Sequence, residues 1–218
     1  MQAFMLAMVR HPEVLFKAQE EMDRVIGVDR LPTYNDRGSL PYLDCVLKEV
    51  LRWNPPVPLG MPHRVMEDNS YLGYYIPKGT IVLVNIFAIL HDCPHPEDFQ
   101  PERYLKGTDY PDPRELVFGF GRRICPGRHF AESSIWIMMA NIIAMLDVGR
   151  TSEDKEKGKF PELDFTCGLV RSVEFISVNI SCFERMTHSH PKPFKCSVRP
   201  RRRNTTTLIQ EARHSAEF

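Results

Sequence analysis

Phe118-Gly119-Phe120-Gly121-Arg122-Arg123-Ile124-Cys125-Pro126-Gly127 is the stretch that decides how this chain folds. It has the form F-x-x-G-x-R-x-C-x-G. Cys125 stands just ahead of a helical run, where free backbone N–H groups and the positive end of the helix dipole favour a thiolate. Pro126 and Gly127 suit the first helical positions, and Gly127 leaves room for a flat ring to come close. Gly121 permits the turn that aims the sulfur. Arg123 can reach a haem propionate, and Phe118 can pack beside the sulfur and keep water out. A lone cysteine before a helix is ordinarily a small buried hydrophobe. The ten residues together read instead as a thiolate ligand loop for haem iron.

The surrounding pattern is mostly helical. Downstream, a helix is predicted from Gly127 to Leu146, and its second half, Ile135 to Leu146, is apolar on nearly every face, as in a buried core helix. Upstream, Val14, Ala18, Met22 and Val25 recur at helical spacing within Pro12–Gly27, with Pro12 at the start and Gly27 as the stop. Leu43, Val46, Leu47 and Val50 predict a second helix over Leu43–Trp53, ended by Pro55-Pro56. His63 to Val84 holds short β-favouring runs, with turns expected at Asp68-Asn69-Ser70 and Pro77-Lys78-Gly79. Asn85–His91 reads as a short helix and Cys93–Arg114 as an ordered, extended loop. The class is mainly α with small β-sheets.

Two further motifs precede the cysteine in order. Lys48-Glu49-Val50-Leu51-Arg52 contains E-x-x-R, whose side chains share one helix face. Pro101-Glu102-Arg103-Tyr104 is similar to P-E-R-F. With the cysteine loop, these motifs closely resemble the cytochrome P450 superfamily, over roughly Met1 to Arg201. The resemblance is nearest to fungal members of the O-methylsterigmatocystin oxidoreductase-like kind. It implies the C-terminal, haem-binding half of that fold. Leu6 to Val9, followed by His11-Pro12-Glu13, looks like the junction of the family's long central helix with its successor.

The resemblance implies roles. Cys125 would be the axial ligand of a haem b, its thiolate pushing electron density to the iron and favouring O–O cleavage; Phe118, Gly121, Arg123 and Gly127 would shape that site. Glu49, Arg52 and Arg103 would form a buried ion triad, although a helical Glu/Arg pair alone is most often a weak surface bridge. His63 aligns with a propionate ligand, against its plain reading as a turn histidine, and Val57 to Met61 with a substrate-contacting loop. A small lipophilic substrate is implied, with electrons from NADPH through a reductase partner. Full-length relatives are implied to sit on the cytoplasmic face of the endoplasmic reticulum membrane.

Composition sets the outer limits. The chain has 218 residues and a formal net charge of zero, so nothing suggests a nucleic-acid partner. Six irregularly spaced cysteines suit a reducing compartment. The apolar stretches Ile81–Leu90 and Ile135–Leu146 fall short of the roughly 20 residues a spanning helix needs. His91, Cys93, His95 and His129 offer zinc-type ligands at spacings that fit no closed zinc site well.

Family members are longer, with an N-terminal anchor and a central helix bearing an acid–threonine pair, and no such pair precedes Leu6. The chain therefore reads as a fragment: 1–201 a partial cytochrome P450 domain and 202–218 a polar tail. A monooxygenase that has lost its front half is the leading reading, the fragment itself expected to be inactive. The alternatives are an inactive haem-binding remnant and a reductase-independent thiolate-haem isomerase or peroxygenase. Gly168-Leu169-Val170 and Ser189–Arg201 match a closing segment of the family. Arg171 to His188, between them, reads as an aberrant insertion, apolar and β-prone over Val173–Ile180, as from a retained intron translated in frame.

Overall fold

The structure is a computed structural model that describes residues 1–105, 109–165 and 189–216. The suspected insertion, 171–188, lies outside the described residues. Helix α1 (Gln2–Arg10) runs into α2 (Pro12–Val25) with only His11 between them. Val14, Leu15, Ala18 and Met22 of α2 are buried, while Phe16 on the opposite side is exposed. The helix stops at Gly27, whose φ of 79° is open to glycine at little cost.

A 3₁₀ turn (Tyr34–Ser39) leads to α3 (Pro41–Trp53). The residue before α3 is Leu40, which has no capping side chain. Its place is taken from a distance: the buried Glu21 carboxylate of α2 accepts the N–H groups of Tyr42 (2.9 Å) and Leu43 (3.0 Å). A carboxylate at a helix start satisfies free donors and meets the positive dipole end.

Next come strands β1 (His63–Arg64), β2 (Asn69–Tyr71), β3 (Tyr74–Ile76) and β4 (Ile81–Val82). β1 pairs antiparallel with β4, and β2 with β3 in the register Tyr71↔Tyr74. This register corrects the expected turn at Asp68-Asn69-Ser70, because Asn69 and Ser70 lie inside β2. The turn is Leu72-Gly73, with φ of 49° and 83°, the two positive values of a type I′ hairpin. Asp68 is occupied elsewhere, accepting the Lys78 N–H at 2.7 Å. The Pro77-Lys78-Gly79 turn forms, with Gly79 at φ 89° and Thr80 N–H donating to Pro77 O at 3.2 Å.

Helix α4 (Ile86–His91) is capped by Asn85, whose side chain accepts the Ala88 N–H. Among the described residues that follow, a 3₁₀ turn forms at Pro101–Tyr104. Short α5 (Arg114–Val117), the cysteine loop and α6 (Arg128–Met145) follow. Trp136, Met139, Ala140, Ile143, Ala144 and Met145 of α6 are buried in one core with α1, α2 and α3.

Strand β5 (Leu146–Gly149), α7 (Ser152–Glu156), β6 (Ser197–Pro200) and α8 (Thr205–Ala216) complete the described elements. β5 pairs antiparallel with β6. The stretch read as a polar tail is thus largely helical. It is anchored by Arg201, whose guanidinium donates to both carboxylate oxygens of Asp23 at 2.6 and 2.7 Å, and by Asn204 donating to Val28 O. Polarity signalled a tail because these anchors lie far away in sequence. Among the described residues no helix is long and apolar enough to cross a membrane.

Candidate functional site

The cysteine loop is a closed turn. The Cys125 N–H donates back to Phe118 O at 2.8 Å, and Ile124 N–H to Gly121 O at 3.3 Å. Gly119 and Gly121 take φ of 74° and 64°, which any side chain would strain. At the far side, Cys125 O accepts the Arg128 N–H at 3.2 Å, so the cysteine sits two residues ahead of Gly127, the cap of α6. Cys125 is exposed. So are the loop's apolar side chains Phe120 and Ile124, with Phe118 half-buried. A Cβ added to Gly127 would lie 3.8 Å from the Cys125 sulfur, filling the space beside it.

An open cleft of about 820 Å³ adjoins the loop, lined by Met61, Pro62, His63, Arg64, Met66, Arg122 and Arg123. Strand β1 brings His63 to the same cleft as Arg123, although 60 residues of chain separate them. The wall is cationic from Arg64, Arg122 and Arg123 and apolar from Met61 and Met66. Cys125 itself, Phe118, Gly121 and Gly127 are not among the residues lining that cleft.

Glu49, Arg52 and Arg103 meet in the interior, 0 %, 2 % and 6 % exposed. Arg52 donates from Nε to Glu49 Oε2 at 2.7 Å and from Nη2 to Oε1 at 2.9 Å, and Arg103 Nε lies 3.5 Å from Oε1. The Gln100 N–H also donates to Glu49, at 2.8 Å. The two guanidiniums reach out to the loop: Arg52 to Pro96 O and Asp98 O, Arg103 to Pro94 O and His95 O. Burial alone would lower the Arg52 pKa; the hydrogen bonds and charge of Glu49 outweigh it and hold the group above its ordinary value.

Sequence reasoning missed a second ionic cluster, beside the cysteine loop. Glu132 Oε1 accepts from Arg114 Nη1 at 2.8 Å and from Arg37 Nη2 at 2.6 Å. Asp44 Oδ1 of α3 accepts from Arg37 at 2.8 Å and Arg114 at 3.3 Å. Asp112 binds Arg114 Nε at 2.9 Å, and Lys48 lies 3.4 Å from Asp112. Four separate stretches contribute, so no local spacing announces it.

Among the described residues no His, Cys, Asp and Glu side chains gather as a metal site. His91 stacks on Phe87 with 3.7 Å between ring centroids, and its Nδ1 lies 2.9 Å from Phe87 O.

The geometry agrees with what the chain is similar to. The family model for cytochrome P450 matches residues 1–171. Cytochrome P450 monooxygenase 176 of Postia placenta is 42% identical over 220 residues, covering 97% of this chain and 39% of that protein. Cytochrome P450 monooxygenase claR of Ampulloclitocybe clavipes is 44% identical over 214 residues, covering 95% and 36%. A zebra fish cytochrome P450 structure with progesterone superposes with a TM-score of 0.73 at 32% identity, covering 91% of this chain and 40% of that one. The chain therefore spans about two fifths of the length of such relatives. With four helices packed on one core, small antiparallel sheets and the cysteine loop ahead of α6, this chain belongs to the cytochrome P450 family.

Proposed function

We propose that this chain is the haem-binding part of a monooxygenase, with Cys125 as the axial ligand of a haem b. The observation that carries this reading is an exposed cysteine on a hydrogen-bonded loop at the start of a long helix, beside a cleft lined by both arginines and methionines. The residues present fit the group. A thiolate is a soft ligand for iron. Arg123 and His63 line one cleft and would hold the two propionates. Exposed Phe120 and Ile124 offer apolar surface to the ring, and glycine at 127 keeps the space beside the sulfur free.

When bound, haem supplies oxygen activation and oxidation of a small lipophilic substrate, with electrons from NADPH through a reductase. The chain's own residues do the holding. The Phe118 O···H–N Cys125 bond fixes the loop, and Cys125 O accepts the N–H of Arg128, the first residue of α6. Glu49, Arg52 and Arg103 tie the Pro94–Asp98 loop to α3. In the whole protein, we place this activity at the endoplasmic reticulum membrane.

The test is loading the chain with haem and recording the ferrous–CO spectrum. A red-shifted, thiolate-type Soret band is expected, and Cys125→Ala is expected to abolish it. If Cys125→Ala keeps that band, another residue is the ligand.

A further inference from the structure

The cysteine loop is poorly anchored by packing. Phe120 is 50% exposed and Ile124 40%, so burial of its side chains does little to hold it. Its shape depends on the Cys125–Phe118 backbone bond and on where its two ends are fixed. Those ends are α5 and α6. Arg114 opens α5, ahead of Phe118, and Glu132 lies in the second turn of α6, beyond Gly127. The 2.8 Å bond from Arg114 to Glu132 therefore closes the base of the loop from the two helices that flank it.

This closure is itself tied to the core. Asp44 and Lys48 stand on α3, the helix that carries Glu49 and Arg52, and Arg37 stands on the 3₁₀ turn before it. The cluster balances three cations, Arg37, Lys48 and Arg114, against three carboxylates, Asp44, Asp112 and Glu132. Arg114, Glu132 and Arg37 side chains are only 16%, 13% and 18% exposed. A linked, part-buried set holds geometry better than isolated surface pairs do. Burial works against the charge on Arg114, but hydrogen bonds to Asp112 and the charges of Asp44, Asp112 and Glu132 outweigh it.

We propose that Arg114 and Glu132 are positioning residues for the Cys125 sulfur: their ion pair clamps the mouth of the ligand loop and keeps the sulfur aimed as a thiolate ligand. The proposal rests on Cys125 being that ligand. An arginine and a glutamate flanking a cysteine loop have no role in touching substrate; they act through the loop.

The experiment compares the intact chain with Glu132→Ala and Arg114→Lys, the latter keeping a cation but losing the guanidinium fork. Two readouts are taken. In the haem-free chain, hydrogen exchange at the Cys125 amide reports loop opening. In the haem-loaded chain, the ferrous–CO band reports thiolate against thiol ligation. We expect both variants to take up haem at the same stoichiometry, to exchange the Cys125 amide about tenfold faster, and to convert most of the thiolate-type band to the thiol type. Exchange on the β5–β6 pair, away from the loop, should be unchanged. Should Glu132→Ala fail to fold, Arg114→Lys decides alone. Variants that keep the thiolate band and the native exchange rate overturn the clamp and leave the ligand reading standing. An unmutated chain that takes up haem without a thiolate band overturns the ligand reading, and the clamp with it.

Discussion

Glu49 has no solvent exposure and serves two guanidiniums and a backbone N–H at once. Replacing it by alanine would leave Arg52 and Arg103 charged in the interior without the carboxylate that both face. Stranding one side of a buried pair typically costs ~3–5 kcal/mol. We expect Glu49→Ala to lower the urea midpoint and the haem content together, without changing which substrates the whole protein accepts. Normal stability and full haem uptake would refute the buried-triad role. The i, i+3 spacing of Glu49 and Arg52 was legible, and Arg103 came through the resemblance. The carbonyls of Pro94, Pro96 and Asp98 were not legible, because backbone acceptors leave no mark in a sequence. The turn at Leu72-Gly73 left no clear mark in the sequence for a related reason. Leucine rarely takes a positive φ, whereas Asp68-Asn69-Ser70 has the composition of a turn but is used as strand and side-chain acceptor.

At the scale of elements, α2, α3 and α6 were readable because each carries a run of apolar residues that ends up buried in one core. The supports between them were not. Glu21 capping α3 and Glu132 meeting Arg114 join separate elements, and their residue types alone suggest only solvated charge. The ends of the suspected insertion give its reading a physical test. Phe165 pairs antiparallel with Pro191, and the Lys192 N–H donates to Asp164 O at 2.8 Å. The chain thus returns to its own departure point, and excising 171–188 would leave 166–170 and 189–190 to make the turn. Closure entropy changes slowly with length, so the ends at 165 and 191 would meet at similar cost with or without 171–188. Our reading of 171–188 as a retained intron predicts a spliced transcript lacking those codons. Reads running continuously through them, with no shorter product, would sink it.

At the scale of the molecule, the cysteine, its apolar neighbours and the cationic cleft all face solvent. Water reaching the iron and uncontrolled proton delivery would defeat oxidation even where haem binds. We therefore expect the haem-loaded chain, supplied with a reductase and NADPH, to oxidise no substrate; measured turnover of any substrate would overturn this. The seam between α2 and the C-terminal segment has a consequence in time. Asp23 and Arg201 are 178 residues apart. At about 5–20 residues per second, the aspartate joins the growing chain roughly 9–36 s before its arginine does. Strand β5 waits for β6 in the same way, since its register partners begin at Ser197. During that interval the core that α1 and α2 share lacks Phe194, Cys196 and Leu208, which pack against it in the finished chain. A ribosome that stops before residue 197 would leave both Asp23 and the β5 edge permanently without these partners.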